Sequence, residues 1–427
     1  MAENTTTQEK DPRKVWTPAP RPEWLKRVNE EGECMDIRGV VPLDSGSMLD
    51  AATRSTGLSD FGIDDWREPF EVLCKSFDED ADLNLFGRIK VRHEILLLLK
   101  NRLQIEDTYK QHPEIDDQEI VKPLMIIGQG RSGTSFLFNL LSACPGNGNM
   151  ATWEAMFSCP PPEPATYHSD TRIDKAHRIA DQWNRAVPEL VSMHEYSGTI
   201  PQEDVVPLAH SFRNVGWFMV LGEVLQYYAY MAKADLEPAY RYHKRVLKLL
   251  QWKNPRKQWI LKNSANLEEL PDMLKVYPDA CIVWPHRDPG KSVASTVSLI
   301  GSMLWGQCDH PFRRVSLDQY VDPNGAAKRL TNVIDLIEAG VIPKERLCNV
   351  LYRDLVDIPI ETAAKIHDYF HLPFTADSRR VLENYMRQNP RDKRPPHKVS
   401  AETRAAVEKD RPAFKRYQEY FGVPDEH

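Results

Sequence analysis

The stretch that most constrains how this 427-residue chain can fold runs from Pro123 to Leu141. Leu124-Met125-Ile126-Ile127 is a short apolar run of the kind that forms a parallel strand buried on both faces. Three glycines follow, Gly128, Gly130 and Gly133, interleaved with Gln129, Arg131 and Ser132. From Thr134 the pattern turns helical, with Phe136, Leu137, Leu140 and Leu141 on one face. Strand, glycine loop and helix make a phosphate cradle, because glycine lets the backbone approach an anion and the N–H groups at the helix start point at it.

Gly128 and Gly133 have the spacing of the triphosphatase loop G-x-x-x-x-G-K-[ST], but Thr134 stands where that loop has its lysine. The loop's cation is Arg131. An anion site is expected, and a triphosphate–Mg²⁺ site is not. The alternative for this stretch alone is an ordinary glycine-rich turn between strand and helix.

Net charge is -7, which argues against bulk nucleic-acid binding. The seven cysteines are scattered without a C-x-x-C, which fits reduced thiols better than a disulfide framework or a zinc site. The first residues lack an apolar signal core, and no run of eighteen apolar residues occurs. The expectation is a cytoplasmic chain with no transmembrane segment and no metal; oligomeric state is not readable.

Four parts are expected. Residues 1–20 read as disordered and 21–120 as a helical N-terminal region, with one long helix over 85–105. Residues 121–375 read as an α/β core, and 376–427 as a basic loop and C-terminal helix closing on a nucleotide. Within the core, strands are expected at 124–127, 258–262, 280–284 and 347–352.

Loops at the C-terminal ends of parallel strands are where ligands of α/β proteins sit. Glu154, one crossover beyond the glycine loop, is there as a candidate base or as a helix cap. His194 is a candidate catalyst or a structural hydrogen-bonder. Glu203 and Asp204 read as caps of a helix starting at Val205. Lys262, at the end of its strand, either points a cation into the crevice or is a solvated edge lysine. Asp288 and Pro289 suit the start of a helix on which Ser292 and Ser295 share a face. Arg287 with these hydroxyls is able to grip a second phosphate, or is simply a solvated arginine beside a capped helix. The basic run 391–398, with Lys393 and Arg394, is a solvated face or a loop over a nucleotide. The aromatics of 217–252 read mostly as packing, some as walls of an apolar pocket.

Several of these segments together resemble one family. Residues 123–141 resemble the "P-x-x-I-x-G-x-x-R-S-G-T-[TS]-x-L-x-x-L-L" opening of sulfotransferases that use 3′-phosphoadenosine 5′-phosphosulfate. Arg287-Asp288-Pro289, with Ser295 eight residues after the arginine, looks like that family's second signature. Residues 259–267 are similar to "W-x-L-K-S-P-x-H-L" of its bacterial branch. Trp153-Glu154, the His194 neighbourhood with Pro201-Gln202-Glu203-Asp204, and Tyr352-Arg353-Asp354-Leu355 recur in the same order. Here Gly130 replaces a commoner proline, Asn263-Ser264 replaces Ser-Pro and Asn266 replaces His.

The resemblance implies a three-layer, P-loop-like α/β fold with a central, mainly parallel sheet flanked by helices, plus the helical N-terminal region. It implies that the co-substrate's 5′-phosphosulfate is held by Gly130, Arg131, Ser132, Gly133, Thr134 and Ser135. It assigns the 3′-phosphate to Arg287 and Ser295, helped by Lys393 and Arg394. Arg131 and Lys262 would stabilise the transferring group. Glu154, which resembles the catalytic Glu of tyrosylprotein sulfotransferases, would be the base, with His194 as second choice. The acceptor would be a small molecule with a hydroxyl or amine, apolar or aromatic in character. A small-molecule kinase with an altered P-loop, and a non-catalytic nucleotide-binding protein, stay open as alternatives.

Overall fold

The computed structural model describes residues 11–264, 267–314, 316–390 and 398–426. Five parallel strands form one sheet: β1 (Leu124–Ile126), β2 (Asn147–Gly148), β3 (Gln258–Lys262), β4 (Cys281–His286) and β5 (Leu347–Leu351), in the order β2-β3-β1-β4-β5. The register sets Leu124 opposite Ile260 on one side and Cys281 on the other. With β3 and β4 flanking it, β1 lies at the switch point of the sheet, where a crevice opens beyond the strand ends. The sequence signalled four strands. The additional one, β2, is two residues long, too short to carry a periodic pattern.

Five helices are needed to follow the site: α1 (Leu85–Gln111), α2 (Thr134–Ser142), α3 (Thr152–Met156), α4 (Pro289–Gln307) and α5 (Lys415–Phe421). Side chains of β1 alternate between two cores, which is why its run of apolar residues is unbroken. Leu124 and Ile126 meet Leu137 and Leu141 of α2 in the smaller core. Met125 and Ile127 enter the larger core, with Leu261 and Trp284. The N-terminal helices share that larger core through Leu25, Trp66, Phe70 and Leu98. In α1, Asn84 caps by accepting from the Gly87 N–H at 2.9 Å. A Cβ on Gly87 would meet the Gln307 carbonyl oxygen at 2.1 Å, so only glycine lets α1 pass so close to the end of α4.

Two expectations at the termini are corrected. Within the stretch read as disordered, residues 12–15 form a short helix whose Arg13 is buried. Arg13 donates to the Ser316 carbonyl at 2.8 Å and pairs with Asp318 at 2.6 Å. Composition read locally does not reveal partners about three hundred residues away. The C-terminal region contains several helical pieces, Ala376–Gln388, Ala401–Lys409, Arg411–Phe414 and α5, rather than one terminal helix. The basic residues Lys393 and Arg394 lie outside the described residues. No helix among the described residues is long and apolar enough to cross a membrane.

Candidate functional site

The glycine loop leaves β1 into the crevice. Gly128 and Gly133 have φ of 129° and 94°, the left-handed region that glycine enters without steric cost. Added Cβ atoms would meet Trp284 at 3.0 Å and Tyr352 at 2.9 Å respectively, so aromatic side chains brace the loop at both ends. Between them Arg131 also has positive φ, 70°, a conformation costly for a side-chain-bearing residue. That turn aims the Arg131 side chain and its carbonyl at a neighbouring element. The Ser132 hydroxyl donates to the Gln129 carbonyl at 2.7 Å and closes the loop.

The neighbouring element is the turn after β4. Arg287 Nη1 donates to the Arg131 carbonyl at 2.9 Å, and its guanidinium lies 4.1 Å from the centre of the Tyr352 ring. Asp288 caps α4 by accepting from the Gly290 N–H at 2.8 Å, as its sequence position suggested. Two turns along α4, the Ser295 hydroxyl accepts from Arg131 Nε at 3.1 Å. The two segments singled out as separate anion grips therefore touch at Arg131.

On the other side of β1, Lys262 ends β3 and is buried. Its ammonium donates to the Ser135 hydroxyl at 3.3 Å and forms an ion pair with Glu203. Glu203 is held between two elements: the Gln202 N–H donates to the Met150 carbonyl at 2.7 Å, and the Asp204 N–H to the Lys262 carbonyl at 2.9 Å. His194 Nδ1 lies 3.9 Å from the same carboxylate. Burial pushes the Glu203 carboxyl up, but Lys262 and His194 outweigh it and hold it below the usual carboxylate value. Burial lowers the basicity of His194; Glu203 opposes this, while Lys262 and Arg131 reinforce it, and the net shift is downward. The shift favours the neutral imidazole.

These groups line a cavity of about 170 Å³. Gly130, Arg131, Thr134, Ser135, His194, Glu203 and Lys262 are among its polar lining. Trp183, Trp217, Val220, Leu299, Ile300 and Met303 are among its apolar walls.

Glu154 lies elsewhere. Its side chain is fully buried, one carboxylate oxygen paired with Arg256 and the other accepting from the Ala151 N–H at 2.8 Å and the Tyr167 hydroxyl at 3.0 Å. It is the third residue of α3 and reaches back to the helix start, the helix-cap role weighed against the catalytic one. Glu203, in turn, was legible only as a cap; its placement beside Lys262 depends on a contact made by the distant strand β3.

The sheet and its lysine-free glycine cradle define an α/β protein of the P-loop-like class. Within that class the chain belongs to the Sulfotransferase family, whose profile matches residues 123–376. Sulfotransferase STF1 from Mycobacterium tuberculosis H37Rv is similar at 26% identity, over 87% of this chain and 98% of that one, with a TM-score of 0.73. Sulfotransferase STF9 from Mycobacterium avium is similar at 25% identity, over 89% of this chain and 97% of that one, with a TM-score of 0.75. No curated protein matches the chain.

Proposed function

We propose that the protein transfers a sulfuryl group from 3′-phosphoadenosine 5′-phosphosulfate to the hydroxyl or amine of a small, largely apolar acceptor. The observation that carries this is the meeting of Arg287, Ser295 and the glycine loop at Arg131. A nucleotide with phosphates at both its 5′ and 3′ positions needs two adjoining anion grips; one with a single phosphate chain does not.

The loop amides from Ser132 to Ser135, with the Thr134 and Ser135 hydroxyls, hold the 5′-phosphosulfate. Gly130 and Gly133 let the backbone approach it. Arg287 and Ser295 hold the 3′-phosphate, and Lys393 and Arg394 are further candidates for it. The acceptor oxygen or nitrogen attacks sulfur while the bond from sulfur to the bridging oxygen breaks, its electron pair leaving with the 5′-phosphate. Arg131 and Lys262 stabilise the charge on the sulfuryl and bridging oxygens. His194 takes the acceptor proton, and the Glu203 carboxylate stabilises the imidazolium that results. Glu154 has no part in this scheme, because its oxygens are already engaged away from the cavity. The apolar walls favour an acceptor with a hydrophobic body and its nucleophile at the His194 end.

A thermal-shift comparison tests the donor class, since a ligand that binds the folded form raises apparent stability. 3′,5′-Bisphosphoadenosine should raise Tm and Mg²⁺–ATP should not. The reverse pattern would point to a kinase. Transfer of labelled sulfuryl to a panel of apolar alcohols then separates an enzyme from a protein that only binds nucleotide.

A further inference from the structure

The anion-binding edge of Arg287 is taken by the protein's own C-terminal segment. Glu426 accepts from Arg287 Nε at 2.9 and 3.0 Å and from Nη2 at 2.8 Å, a two-pronged carboxylate–guanidinium pair. The remaining terminal nitrogen, Nη1, is committed to the Arg131 carbonyl. A phosphate approaching the Nε–Nη2 edge therefore meets a carboxylate already in the position it needs, and two anions on one guanidinium repel.

The backbone beneath Glu426 is anchored independently of this pair. The Glu426 N–H donates to Asp288 Oδ2 at 2.7 Å. Asp425 accepts from Arg411 Nη1 at 2.6 Å and from Gln418 Nε2 at 2.8 Å, and Arg411 also holds Asp288. Phe421 stacks on His286 with ring centres 4.1 Å apart. The Glu426 side chain is thus able to leave Arg287 by rotating about its own bonds while its Cα stays fixed. An anion tethered in this way returns at high effective concentration.

We propose that Glu426 is an intramolecular competitor for Arg287, set aside when a 3′-phosphorylated nucleotide binds and returning as that nucleotide leaves. This rests on the reading that Arg287 holds the 3′-phosphate. A phosphate monoester carries more charge than a carboxylate and displaces it; the returning carboxylate then speeds release of the spent nucleotide. Ligands without a 3′-phosphate leave the pair intact and are indifferent to it.

The test is calorimetric titration of the full chain with 3′,5′-bisphosphoadenosine and with adenosine 5′-monophosphate, in wild type, Glu426→Gln and Glu419→Gln. Glu419 is an exposed acid on α5, the helix that precedes Glu426, and its replacement removes equal charge away from Arg287. Glu426→Gln should tighten the bisphosphate about two- to fivefold, the range for losing a half-exposed ion pair, and slow its dissociation. The monophosphate, and Glu419→Gln with either ligand, should behave as wild type. If wild type binds the bisphosphate selectively but Glu426→Gln does not tighten it, competition is overturned and the donor reading stands. An equal gain for both nucleotides, or the same gain in Glu419→Gln, also overturns competition, because bulk charge then explains it. If wild type does not prefer the bisphosphate, the donor reading itself fails and this inference with it.

Discussion

The guanidinium of Arg287 and the main-chain carbonyl of Arg131 are hydrogen-bonded at 2.9 Å across the tops of β4 and β1. The contact ties the turn expected to bind one phosphate to the loop expected to bind another. Arg287→Ala should therefore weaken 3′,5′-bisphosphoadenosine by about 10–100-fold, the cost of a lost charge-assisted hydrogen-bond pair. Adenosine 5′-monophosphate should lose far less. Arg287→Lys keeps the charge without the fork and should recover only part of the affinity. Equal losses for both nucleotides in a titration would remove the 3′-phosphate assignment.

His194 and Glu154 are the two candidates for the base, and their different surroundings give each a different expected mutant phenotype. His194→Ala should cut turnover by about 10²–10⁴-fold with donor binding retained. Glu154→Gln should instead act on stability, because it leaves the Arg256 guanidinium, 6% exposed, without its carboxylate. A lower Tm with turnover per folded molecule near wild type is the expected result. Full stability together with lost turnover in Glu154→Gln would return the catalytic role to that residue.

With His194 as the proposed base, a pH dependence follows. His194 is held below its ordinary value of 6.5 by burial, with Glu203 pulling the other way and Lys262 and Arg131 adding to the depression. A base must be deprotonated, so kcat/KM should be flat above about pH 6.5 and fall only at lower pH. Glu203→Gln removes the charge that favours the imidazolium, and the acid limb should move to still lower pH. A limb moving upward in a pH–rate profile of that variant would contradict the pairing.

A second titration bears on stability. Burial raises the carboxyl of Glu269 to about 7, although the Tyr240 hydroxyl donates to it at 2.6 Å. Between its ordinary value of 4.5 and about 7, the folded protein holds a proton that the unfolded chain has released. That contribution to stability is complete below 4.5 and is lost as pH rises through about 7. Glu269→Gln, a neutral stand-in, should remove this dependence, so that the Tm of the variant gains on wild type as pH rises from about 5 to about 8. A difference that stays constant in calorimetry across that range would show that Glu269 carries no such proton.

The core of the fold was legible because its signals are local. The Leu124–Ile127 run, the glycine spacing and the Asp288-Pro289 cap each act within a few residues of themselves, and each appears where the sequence put it. What stayed hidden depends on distant contacts. Glu154 and Glu203 are both acidic residues near helix starts, and their local sequences do not distinguish them. Arg256 turns the first into a buried structural ion, and Lys262 draws the second to the cavity. Arg13 and Glu426 carry no local signal for the same reason, since their partners are 303 and 139 residues away in the chain.

Helix α4 has a role beyond presenting Ser295. Thr296, Leu299, Ile300 and Met303, on the same rod, face the cavity where an acceptor would lie. At 1.5 Å rise per residue, Ser295 and Met303 stand about 12 Å apart along it. On the proposed function, the helix is a ruler between the nucleotide end and the acceptor end, graduated in turns. On that reading, changing the side chains at its marks would change which acceptor fits, whereas sliding or lengthening the helix would throw the two reactants out of line.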